Sequence, residues 1–196
     1  MLYRELMLAE VDRLNTCLYQ RFMQLCETGR LRQTHHFGGR FENIYLDAAR
    51  IPCINTVLDA LKQQASKSLE VPADTLRAGF WFNAMEAGHR TSLHHHDEND
   101  ELLSAVYYIR VPEQSGDLIL HDSGRKVVVR PEEGKLVMFA PSVLHEVSAN
   151  RGSGLRLSVG MNVGPADGVG AWEHEGVSGQ AAMEKQTVHR VEDHDV

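Results

Sequence analysis

A run of histidines beside carboxylates is the stretch of this sequence best suited to chemistry. Three consecutive histidines, residues 94–96, precede Asp97, and His145 follows much later in the chain. Two residues of a β-strand that are separated by one other residue project to the same side of the strand. His95 and Asp97 can therefore reach one ion, while His96 points away. Two imidazoles and one carboxylate on one face of a metal leave the opposite face open, which suits ferrous iron. We therefore predict a metal site at His95, Asp97 and His145.

The register of this site is open because the histidines are consecutive. His94 and His96 are also separated by a single residue, and His96 and Glu98 form another pair with the same spacing. A histidine-rich surface loop without a physiological metal would explain the run by itself. The apolar strand that leads into His145 makes a metal site the better interpretation.

An arginine stands inside an apolar stretch that follows His145. Arg156 is flanked by Leu155, Leu157 and Val159. A guanidinium that faces a barrel interior needs an anionic partner, because an unpaired buried charge is costly. Its fork geometry matches a carboxylate through two hydrogen bonds. Strand alternation equally allows an outward Arg156 that pairs with a surface acid.

The elements that must position these residues are short strands preceded by two helices. Apolar side chains spaced three and four residues apart predict helices over 3–28 and 52–69. Residues 30–40 are expected to form a loop, and residues 41–46 a short strand. About eight further strands between glycine and proline turns predict a sandwich or small barrel, with the helices on one face. These strands are expected at 78–85, 91–95, 102–111, 118–121, 126–129, 136–139, 144–147 and 155–163.

The chain length predicts a single domain over residues 1–196. Residues 1–76 would support a strand core at 77–163. The tail, 164–196, is rich in glycine and charge; it could wrap the barrel, mediate dimerisation or be mobile.

Composition excludes several classes of function. The net charge of −7 disfavours nucleic acid as a partner. The chain has three cysteines, Cys17, Cys26 and Cys53, which is an odd number, and it has no C-x-x-C motif. We therefore expect no disulfide framework and no zinc knuckle. No stretch reads as a signal peptide or a membrane span. These features predict a cytoplasmic protein with no membrane partner.

An ordered set of motifs resembles the prolyl-hydroxylase-like branch of the 2-oxoglutarate- and Fe(II)-dependent dioxygenases. The resemblance covers about 79–162, less than half of the chain. The motifs are the H-x-D at 95–97, Tyr107-Tyr108, Gly116-Asp117-Leu118, the Pro131-x-x-Gly134 turn, His145-Glu146-Val147 and Arg156. The spacer between His145 and Arg156 is somewhat longer than in the closest relatives.

The resemblance implies a fold, a reaction and an iron site. The fold would be mainly β with flanking helices, around a double-stranded β-helix of the jelly-roll or cupin-like type. The enzyme would hydroxylate or otherwise oxidise a C–H bond while it consumes O₂ and 2-oxoglutarate and releases succinate and CO₂. His95, Asp97 and His145 would bind Fe(II).

The resemblance also implies a cosubstrate site. Arg156, Tyr108 and Ser158 would hold the distal carboxylate of 2-oxoglutarate. Asn83 or Met85 occupies the neighbourhood in which many members carry a tyrosine, and we assign Asn83 to this site.

Substrate and alternatives remain open at this point. A small molecule is slightly favoured over a peptide, because so short a chain leaves little room for a docking domain; a homodimer is also open. One alternative is a cupin-like metalloprotein that does not use 2-oxoglutarate, a thiol dioxygenase or isomerase, in which His94 and His96 act with Asp100 or Glu101. Another is a noncatalytic sensor of metal or ligand.

Overall fold

Two antiparallel sheets and two long helices make up the part of the protein that the structure describes. The computed structural model describes residues 3–29, 31–97 and 99–168. The helices are α1 (Val11–Glu27) and α2 (Ile54–Leu69), with short 3₁₀ turns at Ala48–Arg50 and Ala73–Thr75. The strands are β1 (Tyr3–Met7), β2 (Arg32–Phe37), β3 (Arg40–Tyr45), β4 (Leu76–Met85), β5 (Thr91–His94), β6 (Leu103–Arg110), β7 (Leu118–Asp122), β8 (Arg125–Val129), β9 (Lys135–Phe139), β10 (Leu144–Val147) and β11 (Arg156–Pro165).

The strands pair in an order that differs from their order along the chain. The larger sheet runs β1-β9-β6-β11-β4-β3-β2, and the smaller sheet runs β5-β10-β7-β8. Because β5 and β10 are neighbours, the two histidine-bearing segments of the sequence meet in the smaller sheet. The mainly β architecture with helices on one face is as the sequence predicts.

Strand β11 shows how the larger sheet separates two apolar cores. Leu157 and Val159 are fully buried and belong to the core that the helices cover. Burial of each such side chain stabilises the fold by about 1.5–3 kcal/mol. The alternating residues, Arg156 and Ser158, project into the space between the sheets, where a second core contains Tyr108, Leu118, Leu120, Val129, Val137 and Phe139. Arg156 therefore takes the inward orientation.

The helices pack on the outer face of the larger sheet. Phe22 of α1 stacks on Phe82 of β4 with ring centroids 5.1 Å apart. Asn15 of α1 donates to the Ile109 carbonyl of β6 at 2.9 Å, which anchors the same helix to a central strand. In the described part of the chain, neither helix combines the length and the apolar character that a membrane span requires.

Two segments differ from the sequence prediction. Residues 3–7 form strand β1 rather than the first turns of a helix, and Tyr3 pairs with Phe139 at the edge of the larger sheet. Residues 32–37 form β2 rather than a loop and pair with β3 across a Gly38-Gly39 turn with positive φ. Strand β1 is defined by its pairing with the distant strand β9, and β2 by its pairing with β3. The local sequence of a short, mostly polar segment does not reveal such pairing.

The expectation of no disulfide was wrong. Cys17 in α1 is bonded to Cys53, the residue before α2, across a sequence separation of 36 residues. The odd cysteine count concealed this pair, because packing of the two helical segments brings the two thiols together. Cys26 is the remaining free thiol.

Candidate metal and cosubstrate site

Three imidazoles converge at the end of the smaller sheet. His94 on β5 lies opposite His145 on β10, so both side chains occupy the same face. His96 follows two residues after His94 and joins them. One ring nitrogen from each histidine lies within 4.8 Å of the others, close enough to share one ion.

Hydrogen bonds fix the tautomers of two of these rings. His94 Nδ1 lies 2.8 Å from the Ser92 carbonyl oxygen, and His145 Nδ1 lies 2.9 Å from the Val143 carbonyl oxygen. A carbonyl only accepts, so each Nδ1 carries the proton and each Nε2 keeps a free lone pair. Such backbone contacts commonly orient metal-binding histidines.

The electrostatics keep the imidazoles neutral. Burial, followed by the neighbouring His94, lowers the pKa of His145 to about 3. The same causes lower the pKa of His96 to about 2, and burial also lowers the pKa of His94. Metal binding requires deprotonated ligands, so no proton competes with an ion here at neutral pH.

The other two residues predicted as ligands lie outside this group. His95 Nδ1 contacts the Asp97 carboxylate, and the two side chains are 42% and 45% exposed. The reason is the cross-strand register: once His94 faces His145, residue 95 projects to the opposite side. Glu98, a partner in one alternative register, lies outside the described residues.

The carboxylates of the cupin-like alternative are engaged elsewhere. Both oxygens of Asp100 accept from Arg77 Nη2 at 2.7 Å. Glu101 accepts from the Asn99 backbone N–H at 2.8 Å.

A buried guanidinium lies between the sheets. Arg156 is 1% exposed. Its Nη1 donates to Ser158 Oγ at 3.1 Å and approaches Met85 Sδ at 3.6 Å, and its Cζ lies 5.2 Å from the Tyr108 ring centroid. Its buried Nε has no hydrogen-bond partner, and no carboxylate of the described residues forms an ion pair with it. Since orphaned buried donors are costly, this arrangement suits an anionic ligand.

The four residues predicted to bind the cosubstrate are brought together by strand register. Ser158 pairs with Asn83 of β4 on one side and with Tyr108 of β6 on the other. The Tyr108 hydroxyl and Asn83 Oδ1 are buried without a hydrogen-bond partner. Burial raises the pKa of Tyr108 to about 12, so its hydroxyl remains a donor. A carboxylate that accepts from Arg156 and Tyr108 fits this donor set.

Aromatic side chains surround the imidazoles. The rings of Trp81 and His96 are 5.4 Å apart, and those of Phe139 and His145 are 4.8 Å apart. A Cβ atom at Gly160 would lie 2.5 Å from the Trp81 indole. Glycine at this position therefore lets the indole lie against β11 beside the histidines.

Comparison with known proteins agrees with this fold. Residues 80–164 match the sequence profile of the 2OG-Fe(II) oxygenase superfamily. No curated protein matches the chain in sequence.

Three solved structures show how widely the fold is shared. A Pseudomonas putida prolyl-4-hydroxylase is 20% identical, with a TM-score of 0.65, and the alignment covers 84% of this chain and 92% of that one. The epimerase SnoN, in complex with Fe³⁺, α-ketoglutarate and nogalamycin RO, is 16% identical, with a TM-score of 0.67 and coverages of 85% and 80%. A prolyl hydroxylase from Trichoplax adhaerens, in complex with a peptide fragment, is 13% identical, with a TM-score of 0.65 and coverages of 83% and 83%.

These likenesses confirm the double-stranded β-helix fold. The profile match spans β4 to β11 almost completely, which includes His94, His96, His145 and the cosubstrate residues. Over residues 80–164 the strand core of this chain is similar to the 2OG-Fe(II) oxygenase superfamily, and this match together with the fold supports an oxygenase that depends on iron and 2-oxoglutarate.

Proposed function

We propose that this oxygenase holds Fe(II) through Nε2 of three histidines, His94, His96 and His145, rather than through two histidines and a carboxylate. The observation that carries the proposal is the convergence of three neutral imidazoles, two of them with Nδ1 committed to a backbone carbonyl. His95 and Asp97 contact each other at an exposed position instead.

We further propose that Arg156, with Tyr108 and Ser158, binds the distal carboxylate of 2-oxoglutarate. The orphaned Nε of Arg156 and the orphaned hydroxyl of Tyr108 support this assignment. Asn83 Oδ1 accepts hydrogen bonds only, so it would bind a water or a donor near the cosubstrate rather than the carboxylate itself.

The residues of the chain would divide the work of the reaction. Bound iron supplies the oxidative chemistry that couples decarboxylation of 2-oxoglutarate to attack on a C–H bond. Arg156 orients the cosubstrate, and the neutral histidines retain the metal. Apolar side chains between the sheets, among them Leu120 and Val137, exclude water from the interior.

We propose a small organic molecule as the substrate. Beyond the strand core, the described chain adds only β1, the β2–β3 hairpin, two helices and two short 3₁₀ turns, which leaves little surface for a polypeptide. Of the proteins with a similar fold, SnoN was solved with nogalamycin RO and the Trichoplax enzyme with a peptide, so the fold itself accommodates both classes. A screen of small metabolites and, separately, of proline-containing peptides distinguishes the two substrate classes. The measurement is which compounds increase the rate of succinate formation.

Ligand-by-ligand substitution tests the metal site. We expect His96→Ala and His145→Ala to abolish Mn(II) binding, measured by electron paramagnetic resonance, because each removes one of the converging nitrogens. His95→Ala and Asp97→Asn are the matched controls and should bind Mn(II) as the unmodified protein does. Loss of binding in Asp97→Asn together with retention in His96→Ala would restore the two-histidine, one-carboxylate register.

Uncoupled turnover tests the activity. With Fe(II), O₂ and no substrate, the protein should convert 2-oxoglutarate slowly to succinate, and a chelator should stop the conversion. A protein that binds Mn(II) but forms no succinate, alone or with any screened compound, would instead be a sensor.

A further inference from the structure

A buried ion pair lies on strand β3, outside the profile-matched core. Arg40 Nη2 and Glu42 Oε1 are 3.4 Å apart, and the two side chains are only 7% and 10% exposed. Burial raises the pKa of Glu42 and is opposed first by the charge of Arg40. A buried pair such as this needs further hydrogen bonds to offset desolvation, so its other contacts indicate its role.

Arg40 Nη1 donates weakly to the carbonyl oxygens of Phe41 and Ala84, at 3.4 and 3.5 Å, and the shorter contacts of the pair reach the start of β5, the strand that ends at His94. Arg40 Nη2 donates to the Arg90 carbonyl oxygen and to Thr91 Oγ1, each at 3.1 Å. The Thr91 hydroxyl and the Ser92 backbone N–H lie close enough to the Glu42 carboxylate to oppose the rise of its pKa. Because β3 belongs to the larger sheet and β5 to the smaller one, the pair joins the two sheets.

Strand β5 needs this support. It has four residues and lies at the edge of the smaller sheet, where β10 is its one partner among the described strands. The pairing consists of His145 with His94 and Val147 with Thr91, with an irregularity between them. A short, irregular ladder along one edge holds a strand weakly, yet His94 and His96 must be placed accurately to share an ion.

We propose that Arg40 and Glu42 are positioning residues that clamp β5 so that His94 and His96 meet His145. This inference rests on the proposed ligand set. The clamp also joins the β2–β3 hairpin to the metal strand.

Substitutions at the clamp residues test the inference, and Mn(II) binding is the quantity measured. Glu42→Gln keeps the shape of the side chain and removes its charge, and Thr91→Val removes the hydroxyl that bridges the pair. We expect each to weaken Mn(II) binding roughly tenfold, as is typical of residues that orient metal ligands. Lys135→Met is the matched control, because Lys135 is a partly buried cation that pairs with Glu5 and Glu132 on β1 and the β8–β9 turn.

The outcomes separate positioning from general support of the fold. Weaker Mn(II) binding in Glu42→Gln and Thr91→Val, with unchanged binding in Lys135→Met at a similar thermal shift, supports the clamp. Lower melting temperatures with unchanged Mn(II) affinity in all three would overturn it. If Glu42→Gln does not fold, Thr91→Val alone decides between the two. Failure of the unmodified protein to bind Mn(II) would overturn the proposed metal site itself.

Discussion

At His94 and His145, the hydrogen bond on one ring nitrogen decides what the other nitrogen can do. Donation from Nδ1 to a backbone carbonyl leaves the lone pair of Nε2 free for a metal ion, and burial keeps the ring neutral. A third imidazole in place of a carboxylate adds no negative charge to the site. A divalent ion held here would therefore retain a higher positive charge, which favours the dianionic cosubstrate beside it.

Arg156 carries the first residue-scale prediction. In Arg156→Met the affinity for 2-oxoglutarate should fall roughly 10- to 100-fold, because hydrogen bonds to a charged group each contribute about 1.5–3 kcal/mol. The affinity for Mn(II) should not change, since Arg156 is not a ligand. Isothermal titration with 2-oxoglutarate and Mn(II) measures both.

The same substitution makes a distinct prediction about stability. Without cosubstrate, Arg156 is a buried cation with no ion-pair partner among the described residues, so Arg156→Met should leave the free energy of unfolding unchanged or raise it. Urea denaturation of the cosubstrate-free protein measures this quantity. A clear loss of stability would mean that Arg156 supports the fold rather than the ligand.

At the scale of elements, the sequence predicts those strands whose bounds are marked by alternating apolar side chains and by turn residues. The strands from β4 to β11 begin and end close to their predicted positions because apolar runs alternate with glycine and proline turns. The same period of two places Arg156 and Ser158 on one face of β11, but it does not say which face, and the inward orientation is known only from their burial in the structure. Strands β1 and β2 escaped prediction because their positions depend on partners rather than on local pattern.

The sequence leaves the metal register open for a related reason. Consecutive histidines satisfy either register, and the pairing of His94 with His145 supports the one that we propose. The Arg40–Glu42 clamp was equally hidden, because burial of a charged pair on a short strand depends on contacts with a different sheet.

The packing of β4 against β11 gives an element-scale prediction. Gly160→Ala should destabilise the protein by about 1–3 kcal/mol, because the added methyl group would displace the Trp81 indole from β11. Combination with Trp81→Leu should recover part of this loss, with a coupling of about 0.5–3 kcal/mol in a double-mutant cycle. Strictly additive losses in urea denaturation would show that the two residues do not contact each other in solution.

At the scale of the whole molecule, one covalent link joins the two helical segments. The Cys17–Cys53 bond closes a loop that contains β2 and β3 and therefore the clamp residues. Alkylation of the unfolded protein without reductant should modify Cys26 alone, and all three cysteines after reduction. Reduction should lower the free energy of unfolding by about 2–4 kcal/mol. Modification of all three thiols before reduction would show that the bond is absent in solution.

The buried histidines make the stability of the metal-free protein depend on pH. Their folded-state pKa values, about 3 for His145 and about 2 for His96, lie below the ordinary value near 6.5. Between these values the unfolded chain binds more protons than the folded protein, so stability is complete above about pH 6.5 and falls as the pH falls through that window. Each histidine contributes a slope of up to about 1.4 kcal/mol per pH unit. Urea denaturation from pH 7.5 to pH 5 measures the slope, and His145→Asn should reduce it. A flat profile in the unmodified protein would mean that these imidazoles are solvated and free to protonate when no metal is bound.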